Sequence, residues 1–212
     1  MPVITIRGQY GSWANEIGDA IARKMKIDYV DREIIAGVAA RLRRPSTSIE
    51  EKEMPPSTLL GRIAEAMAKT SYMGDSVFTG IYSPLWEIPL DDTKYLLGLE
   101  YVIKELAAGR SIVILGRGSQ FILKDLPHTF HVLIVAPLDA RLKSVMEKLK
   151  LNEEDARSEI ARFDDGNRAF IRRFFKADIL DPIHYHIVIN TRHLGIEGAA
   201  SIVVDAVRWM RE

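Results

Sequence analysis

The sequence predicts a three-layer α/β/α fold on a parallel five-stranded sheet with a helical excursion, and three observations carry that prediction. Short β-rich segments alternate with helical patterns along the chain, as expected when helices cover both faces of a parallel sheet. Two of the segments, Ser111–Leu115 and Phe130–Val135, are almost continuously apolar, the composition of strands buried on both faces. The 212 residues are 47% hydrophobic and 27% charged, which suits one soluble core, and no repeat or linker divides them.

Val3-Ile4-Thr5-Ile6 opens as a strand and leads through Gly8-Gln9-Tyr10-Gly11-Ser12 into a helix whose apolar residues, Ile17, Ala20, Ile21 and Met25, recur at helical spacing. Tyr29-Val30 is a second short strand, with Asp31 at its end. Ile34, Ile35, Val38, Ala39 and Leu42 mark another helix, stopped by Pro45 at the latest. Positions 45–90 form the excursion. Ser57 is placed to cap a helix reaching about Lys69, with Leu60, Ile63, Ala64 and Met67 on one face. Beyond it lies an aperiodic stretch carrying Tyr72, Phe78, Tyr82 and Trp86, a loop pinned over a core or else a lid or contact surface.

Asp92–Ala108 is a clean amphipathic helix with Leu96, Leu99, Ile103 and Leu106 inward, terminated by Gly109. The strands Ser111–Leu115, Phe130–Val135 and His186–Ile189 follow. Helices are predicted between and after them, at about Asp139–Leu149, Asn152–Phe174 and Ile196–Trp209.

Composition excludes several function classes. Twenty-nine basic against twenty-nine acidic residues give a formal net charge of +0, which removes the global electrostatic case for a nucleic-acid or membrane partner. The chain has no cysteine, so disulfides, thiolate catalysis and thiolate zinc sites are out, and a reducing cytoplasmic home is expected. Met1 to Arg7 runs straight into a strand without signal-peptide organisation, and no apolar stretch nears the roughly 20 residues of a membrane span. His184-x-His186 and His128-x-x-His131 lack a third ligand at useful spacing, so no side-chain metal centre is expected.

In such a sheet, ligands bind outside the carboxyl ends of the strands. Four polar or glycine-bearing segments leave strands there: Gly8–Ser12, Asp31-Arg32, Gly116-Arg117-Gly118-Ser119 and Asn190-Thr191. A Gly-x-x-x-x-Gly-Lys-Ser/Thr phosphate loop started at Gly8 fails at three of its four signature positions. Trp13 takes the second glycine's place, Ala14 the lysine's and Asn15 the hydroxyl's. A turn entering a helix N-terminus remains, an arrangement that attracts anions. Gly116-Arg117-Gly118 permits close backbone approach and supplies a bidentate cation suited to phosphate. Within Arg157–Lys176, Arg168 and Arg172 share a helix face, either as a phosphate-steadying lid or as a solvated basic face paired with acids.

Taken together, ITIRGQYGSWANEIG, KIDYVDRE, ILGRGSQFILKDLP, FHVLIVAPLDARLKSVM, EIARFDDGNRAFIRRFF and DPIHYHIVINTRHLG resemble the cytidylate-kinase-like family of P-loop nucleoside monophosphate kinases. The resemblance covers nearly the whole chain. It implies a P-loop-kinase fold with an arginine-bearing lid over 152–178, ATP and magnesium as cofactors, and a nucleoside monophosphate as small-molecule partner. It further implies that Gly8, Gly11, Ser12, Trp13, Ala14 and Asn15 lie at the donor phosphates. Asp31 and Arg32 fall at the donor–acceptor junction. Arg117 matches the arginine of the Gly-Arg-Asp motif that takes the acceptor phosphate, with Gly118 where that motif has its aspartate. Asp165 and Arg168 match an Asp-x-x-Arg portion of the lid, and Arg172 is a further lid candidate.

Two functions follow. One is a kinase moving the ATP γ-phosphoryl group in line to a nucleoside monophosphate or similar acceptor. The other is a catalytically degenerate relative that binds a nucleotide or protein partner without turnover, suggested by Trp13-Ala14-Asn15. A homo-oligomer joined through the aromatic stretch is the structural alternative.

Overall fold

A computed structural model describes residues 1–31, 58–70 and 93–210. Arg32, the helix expected over Ile34–Leu42 and the aromatic stretch from Tyr72 to Trp86 lie outside the described residues. In chain order the elements are β1 (Val3–Gly8), α1 (Ala14–Met25), β2 (Asp28–Val30), α2 (Leu59–Thr70), α3 (Thr93–Ala107), β3 (Ile112–Leu115), α4 (Ser119–Ile122), β4 (Thr129–Val135), α5 (Leu138–Leu149), α6 (Glu153–Phe175), β5 (Ile187–Asn190) and α7 (Ile196–Arg208). A 3-10 turn, Pro182–His184, precedes β5.

The five strands make one sheet ordered β2-β3-β1-β4-β5, and every pairing is parallel. Each crossover therefore passes over a face, and the apolar runs are covered on both sides. Successive residues of a strand point to opposite faces. Ile4 and Ile6 of β1 join Val113, Val132 and Ile134 under α1 and α7, where Ile17, Ile21, Ala199 and Val203 are buried. Val3, Ile112 and Ile114 face the other layer, formed by Ile63 and Met67 of α2, Leu99 and Ile103 of α3, and Phe170 and Ile171 of α6. That alternation also fixes Thr5 and Arg7 on the α6 side of β1.

A third cluster, Leu142, Val145, Ala156 and Ile160, holds α5 against α6, with Tyr10 packed on it. Lys150 ends α5 in the left-handed region, and the Asn152 side chain caps α6 by accepting from the Asp155 amide at 2.9 Å. The chain thus reverses in a few residues and brings α6 back over the loop after β1.

Element boundaries differ from the sequence reading by a residue or two, and three local details differ as well. The α2 N-terminus is bonded by Thr58, whose Oγ1 accepts from the Gly61 amide, and Ser57 lies outside the described residues. The inward stripe of α2 is Leu59, Ile63, Ala66 and Met67, with Ala64 partly buried against the same core as expected, while Leu60 is exposed, because the deep contacts of Ile63 and Met67 set the helix phase. The two histidines of His184-x-His186 stand in different surroundings. His184 sits in the 3-10 turn against Phe121, whereas His186 stacks on Phe130 and His131.

Candidate functional site

The loop after β1 is held from all sides. A Cβ on Gly8 would lie 2.2 Å from the Ala14 Cβ, so only glycine lets the loop close onto the start of α1. Gly11, at φ 81°, approaches α5 so closely that a Cβ there would stand 2.8 Å from the Arg141 carbonyl oxygen. The buried Ser12 hydroxyl donates to the carbonyls of Gln9 at 2.7 Å and Ile134 at 3.3 Å. The Gln9 Oε1 accepts from the Ala136 amide, and the Thr191 hydroxyl reaches the Ser12 and Val135 carbonyls. Thr191, at the carboxyl end of β5, is therefore a fastener for the loop.

Trp13 occupies the left-handed region at φ 63°, a conformation that costs a non-glycine residue about 1–2 kcal/mol. This is the position where a phosphate loop has its second glycine, and the backbone keeps the glycine-like turn although the side chain is an indole. Behind it α1 begins with no side-chain cap, so the first-turn amides of Ala14 and Asn15 remain as donors.

The Tyr10 limb is clamped to α5 and α6. Its amide donates to Asp164 Oδ1 at 3.1 Å, and Asp164 Oδ2 accepts from Arg141 Nη1 at 2.5 Å. The same Arg141 nitrogen reaches the Tyr10 carbonyl at 3.4 Å, and the Tyr10 ring stacks on Phe163 with centroids 4.5 Å apart.

Between this loop, the end of β2, the turn after β3 and helices α5 and α6 lies a cavity of about 370 Å³. Gly8, Gly11, Trp13, Ala14, Asn15, Asp31 and Arg117 all line it, so the glycine loop, the end of β2 and the turn after β3 meet there, and Thr191 braces the loop. Arg117 is 4% exposed and sits at φ 61° between Gly116 and Gly118, both also left-handed, a turn that directs the guanidinium from the end of β3 into the cavity wall. Asp31 follows β2, and its Oδ2 accepts from the Tyr29 hydroxyl at 3.1 Å. Burial and that carboxylate push the Tyr29 phenol upward, so it stays a neutral donor.

The remaining expected site residues stand apart. The Ser12 side chain is turned into the sheet. Arg168 pairs with Asp165 at 2.7 Å on α6, and Arg172 is exposed towards the helix C-terminus, beyond the cavity-lining Phe163 and Asn167. Arg162 pairs with Glu159, and Arg157 with Glu153. Gly118 caps α4 rather than facing the cavity, and a Cβ there would stand 2.9 Å from the Phe175 ring.

Sequence reading missed Arg7, Phe163, Asn167 and Lys148, which also line the cavity. Arg7 is the most consequential. It is 8% exposed, its Cζ stands 5.9 Å from the Phe163 ring centroid, and desolvation pulls its pKa below the usual arginine value. An arginine on the α6 face at the end of a buried strand was the available signal. Lys148 pairs with Glu16 of the first turn of α1 at 3.1 Å, across the cavity mouth.

Among the described residues no group of three His, Asp or Glu side chains is placed to hold a metal, and no helix is long and apolar enough to cross a membrane. The donor set fits an anion: guanidinium groups and first-turn amides face the cavity. It fits the standard magnesium–triphosphate cradle less well, since Ala14 replaces the lysine and the Ser12 hydroxyl is already bonded inward.

The model of the cytidylate kinase-like family matches residues 3–193. A cytidylate kinase from Sulfolobus acidocaldarius is 32% identical over 72 residues, 34% of this chain and 40% of that protein. One from Thermococcus kodakarensis is 30% identical over 103 residues, 49% of this chain and 52% of that protein. The chain thus spans about half or less of the relatives it matches. An uncharacterized protein from Eubacterium ventriosum superposes with a TM-score of 0.70 at 16% identity, covering 99% of this chain and 100% of that one. A shikimate kinase from Bacteroides thetaiotaomicron superposes with a TM-score of 0.51 at 10% identity, covering 98% of each. These two likenesses bear on fold alone. The chain belongs to the cytidylate kinase-like family.

Proposed function

We propose that this member of the cytidylate kinase-like family is a kinase that transfers the γ-phosphoryl group of ATP to a nucleoside monophosphate or a similar small acceptor. The observation that carries the reading is the buried Arg117 guanidinium lining the same cavity as the glycine loop and the start of α1. Bound magnesium–ATP would supply the phosphoryl group and the cation that spreads its charge. The protein's part is positioning and charge neutralisation, which dominate phosphoryl transfer, so no protein nucleophile is required.

In this reading the amides of Ala14 and Asn15 and the dipole of α1 hold the donor phosphates, with Gly8 and Gly11 keeping the loop close. Arg117 holds the acceptor phosphate through its planar fork. Asp31 borders the junction of the two, with Arg32 beside it in sequence. Arg168 and Arg172 serve on the lid, where Arg168 exchanges Asp165 for phosphate oxygens when substrate is bound. Gly118 argues against a cytidine-specific contact from this turn: an aspartate there would need φ near 68° and the space of Phe175. A cytoplasmic location suits a reaction that draws on ATP.

The alternative is a non-catalytic nucleotide-binding protein, favoured specifically by Trp13 at the glycine position and by the inward Ser12 hydroxyl. Calorimetry with magnesium–ATP, then with CMP and other monophosphates, tests the choice. Micromolar ATP affinity with acceptor binding supports the kinase. ATP affinity with no acceptor and no turnover supports the binding protein. No nucleotide binding by a folded sample removes the kinase and turns the reading to a degenerate relative that binds a protein partner.

A further inference from the structure

We propose that Arg7 is an anion-binding residue of the cavity, a cation from within β1 that holds phosphate oxygens in place of the lysine missing at Ala14. The proposal rests on the reading of this cavity as a phosphate site. It concerns a residue that neither the glycine-loop pattern nor the Gly-Arg-Asp motif includes.

A buried guanidinium without acceptors is costly, so buried arginines are almost always paired. Arg7 lines the cavity and is more than nine-tenths buried, yet its Nε is sealed from solvent with no partner, and it forms no ion pair among the described residues. The nearby Asp164 carboxylate and the neutral Tyr185 hydroxyl are both committed elsewhere. Asp164 accepts from the Tyr10 amide with one oxygen and from Arg141 with the other. The Tyr185 hydroxyl donates to the Ile179 carbonyl and receives the Gln120 amide. The Phe163 ring gives a cation–π contact at the outer edge of its range.

The Arg7 surroundings thus leave the guanidinium without a hydrogen-bonded carboxylate, while it lines the same cavity as Gly8 and the first turn of α1. A di- or polyphosphate in the cavity would supply acceptors to the terminal Nη nitrogens, which hold no hydrogen bond among the described residues, while the sealed Nε stays unbonded. Arg7 would then approach from the floor of the site and Arg117 from the turn after β3, two guanidinium forks on one anion cluster.

The test is calorimetry of the full chain with inorganic pyrophosphate and, separately, magnesium–ATP, alongside thermal melting without ligand. The variants are Arg7→Met and Arg7→Lys. Loss of charge-assisted hydrogen bonds weakens binding about 10- to 100-fold. Arg7→Met is expected to bind pyrophosphate that much more weakly while melting at or above the wild-type temperature, because a buried charge without a hydrogen-bonded carboxylate has been removed. Arg7→Lys is expected to fold and to keep part of the affinity.

Pyrophosphate affinity within twofold of wild type in Arg7→Met overturns the proposal, as does a wild type that binds no pyrophosphate. Unfolding of both variants assigns Arg7 to the core and overturns it equally. The kinase reading fails separately. Arg7-dependent pyrophosphate binding without transfer to any acceptor leaves Arg7 an anion residue in a non-kinase, whereas transfer indifferent to Arg7→Met leaves a kinase without this residue.

Discussion

Replacing Asp164 with alanine should unlatch the loop from α6. Asp164 has 16% and Arg141 10% of side-chain area exposed, so the pair is largely but not wholly dehydrated. Breaking a fully buried pair by removing one partner costs about 3–5 kcal/mol, because the other charge stays buried and unpaired. Residual solvent access reduces that share to about 2–3 kcal/mol. The Tyr10 amide also loses its acceptor, a deficit of about 1 kcal/mol if water reaches it. Asp164→Ala should therefore lower unfolding free energy by about 3–4 kcal/mol in urea melts. Asp164→Asn keeps an acceptor for the amide and should cost about 1 kcal/mol less. Adding Arg141→Met should recover part of the loss by removing the stranded charge, a coupling of about 1–2 kcal/mol. A single-variant loss under 1 kcal/mol, or a double variant as unstable as the sum of its parts, would refute the reasoning.

Other outcomes can be checked in the same preparations. Gly11→Ala meets the Arg141 carbonyl and a left-handed backbone, and should destabilise by about 2–4 kcal/mol in urea melts; a change under 1 kcal/mol would show that the loop can retreat from α5. His131, bonded through Nδ1 to the Thr5 hydroxyl and stacked on His186, is held down to about 4 chiefly by desolvation. Its folded pKa is below the unfolded one, so the unfolded chain binds the extra proton as pH falls from about 6.5 towards 4, and stability declines through that window by up to about 3 kcal/mol. His131→Gln should flatten that part of the profile, and an unchanged slope would remove His131 as its cause. Arg117→Ala and Arg168→Ala should each impair phosphoryl transfer in a coupled assay while leaving the melting curve folded; wild-type turnover in both would cancel their roles.

The sheet was legible because its signal is redundant. Ile112–Leu115 is apolar on both faces and Thr129–Val135 is so apart from Thr129 and His131, and helices with one apolar stripe lie between strands, so pattern and packing agree. The site's outline followed from topology, since loops at the carboxyl ends of parallel strands converge whatever their sequence. Its interior did not. Arg7 lies in a run that reads as strand, and only the parity that puts it with Val3 and Thr5 turns it towards Phe163. The Asp164–Arg141–Tyr10 clamp joins three distant segments by side-chain geometry that no spacing encodes. The α6 arginines showed the opposite problem. Their spacing suits a lid, yet each of Arg157, Arg162 and Arg168 has a carboxylate three or four residues away, and the helix satisfies those local pairs.

Phosphorus NMR of the full chain with magnesium–ATP and a panel of nucleoside monophosphates, run beside Arg117→Ala, tests most directly the claim that this cavity moves phosphoryl groups. The expected result is ADP and a new nucleoside diphosphate with at least one acceptor, lost in the variant. An unchanged ATP spectrum with every acceptor, from a sample shown to be folded, would contradict it.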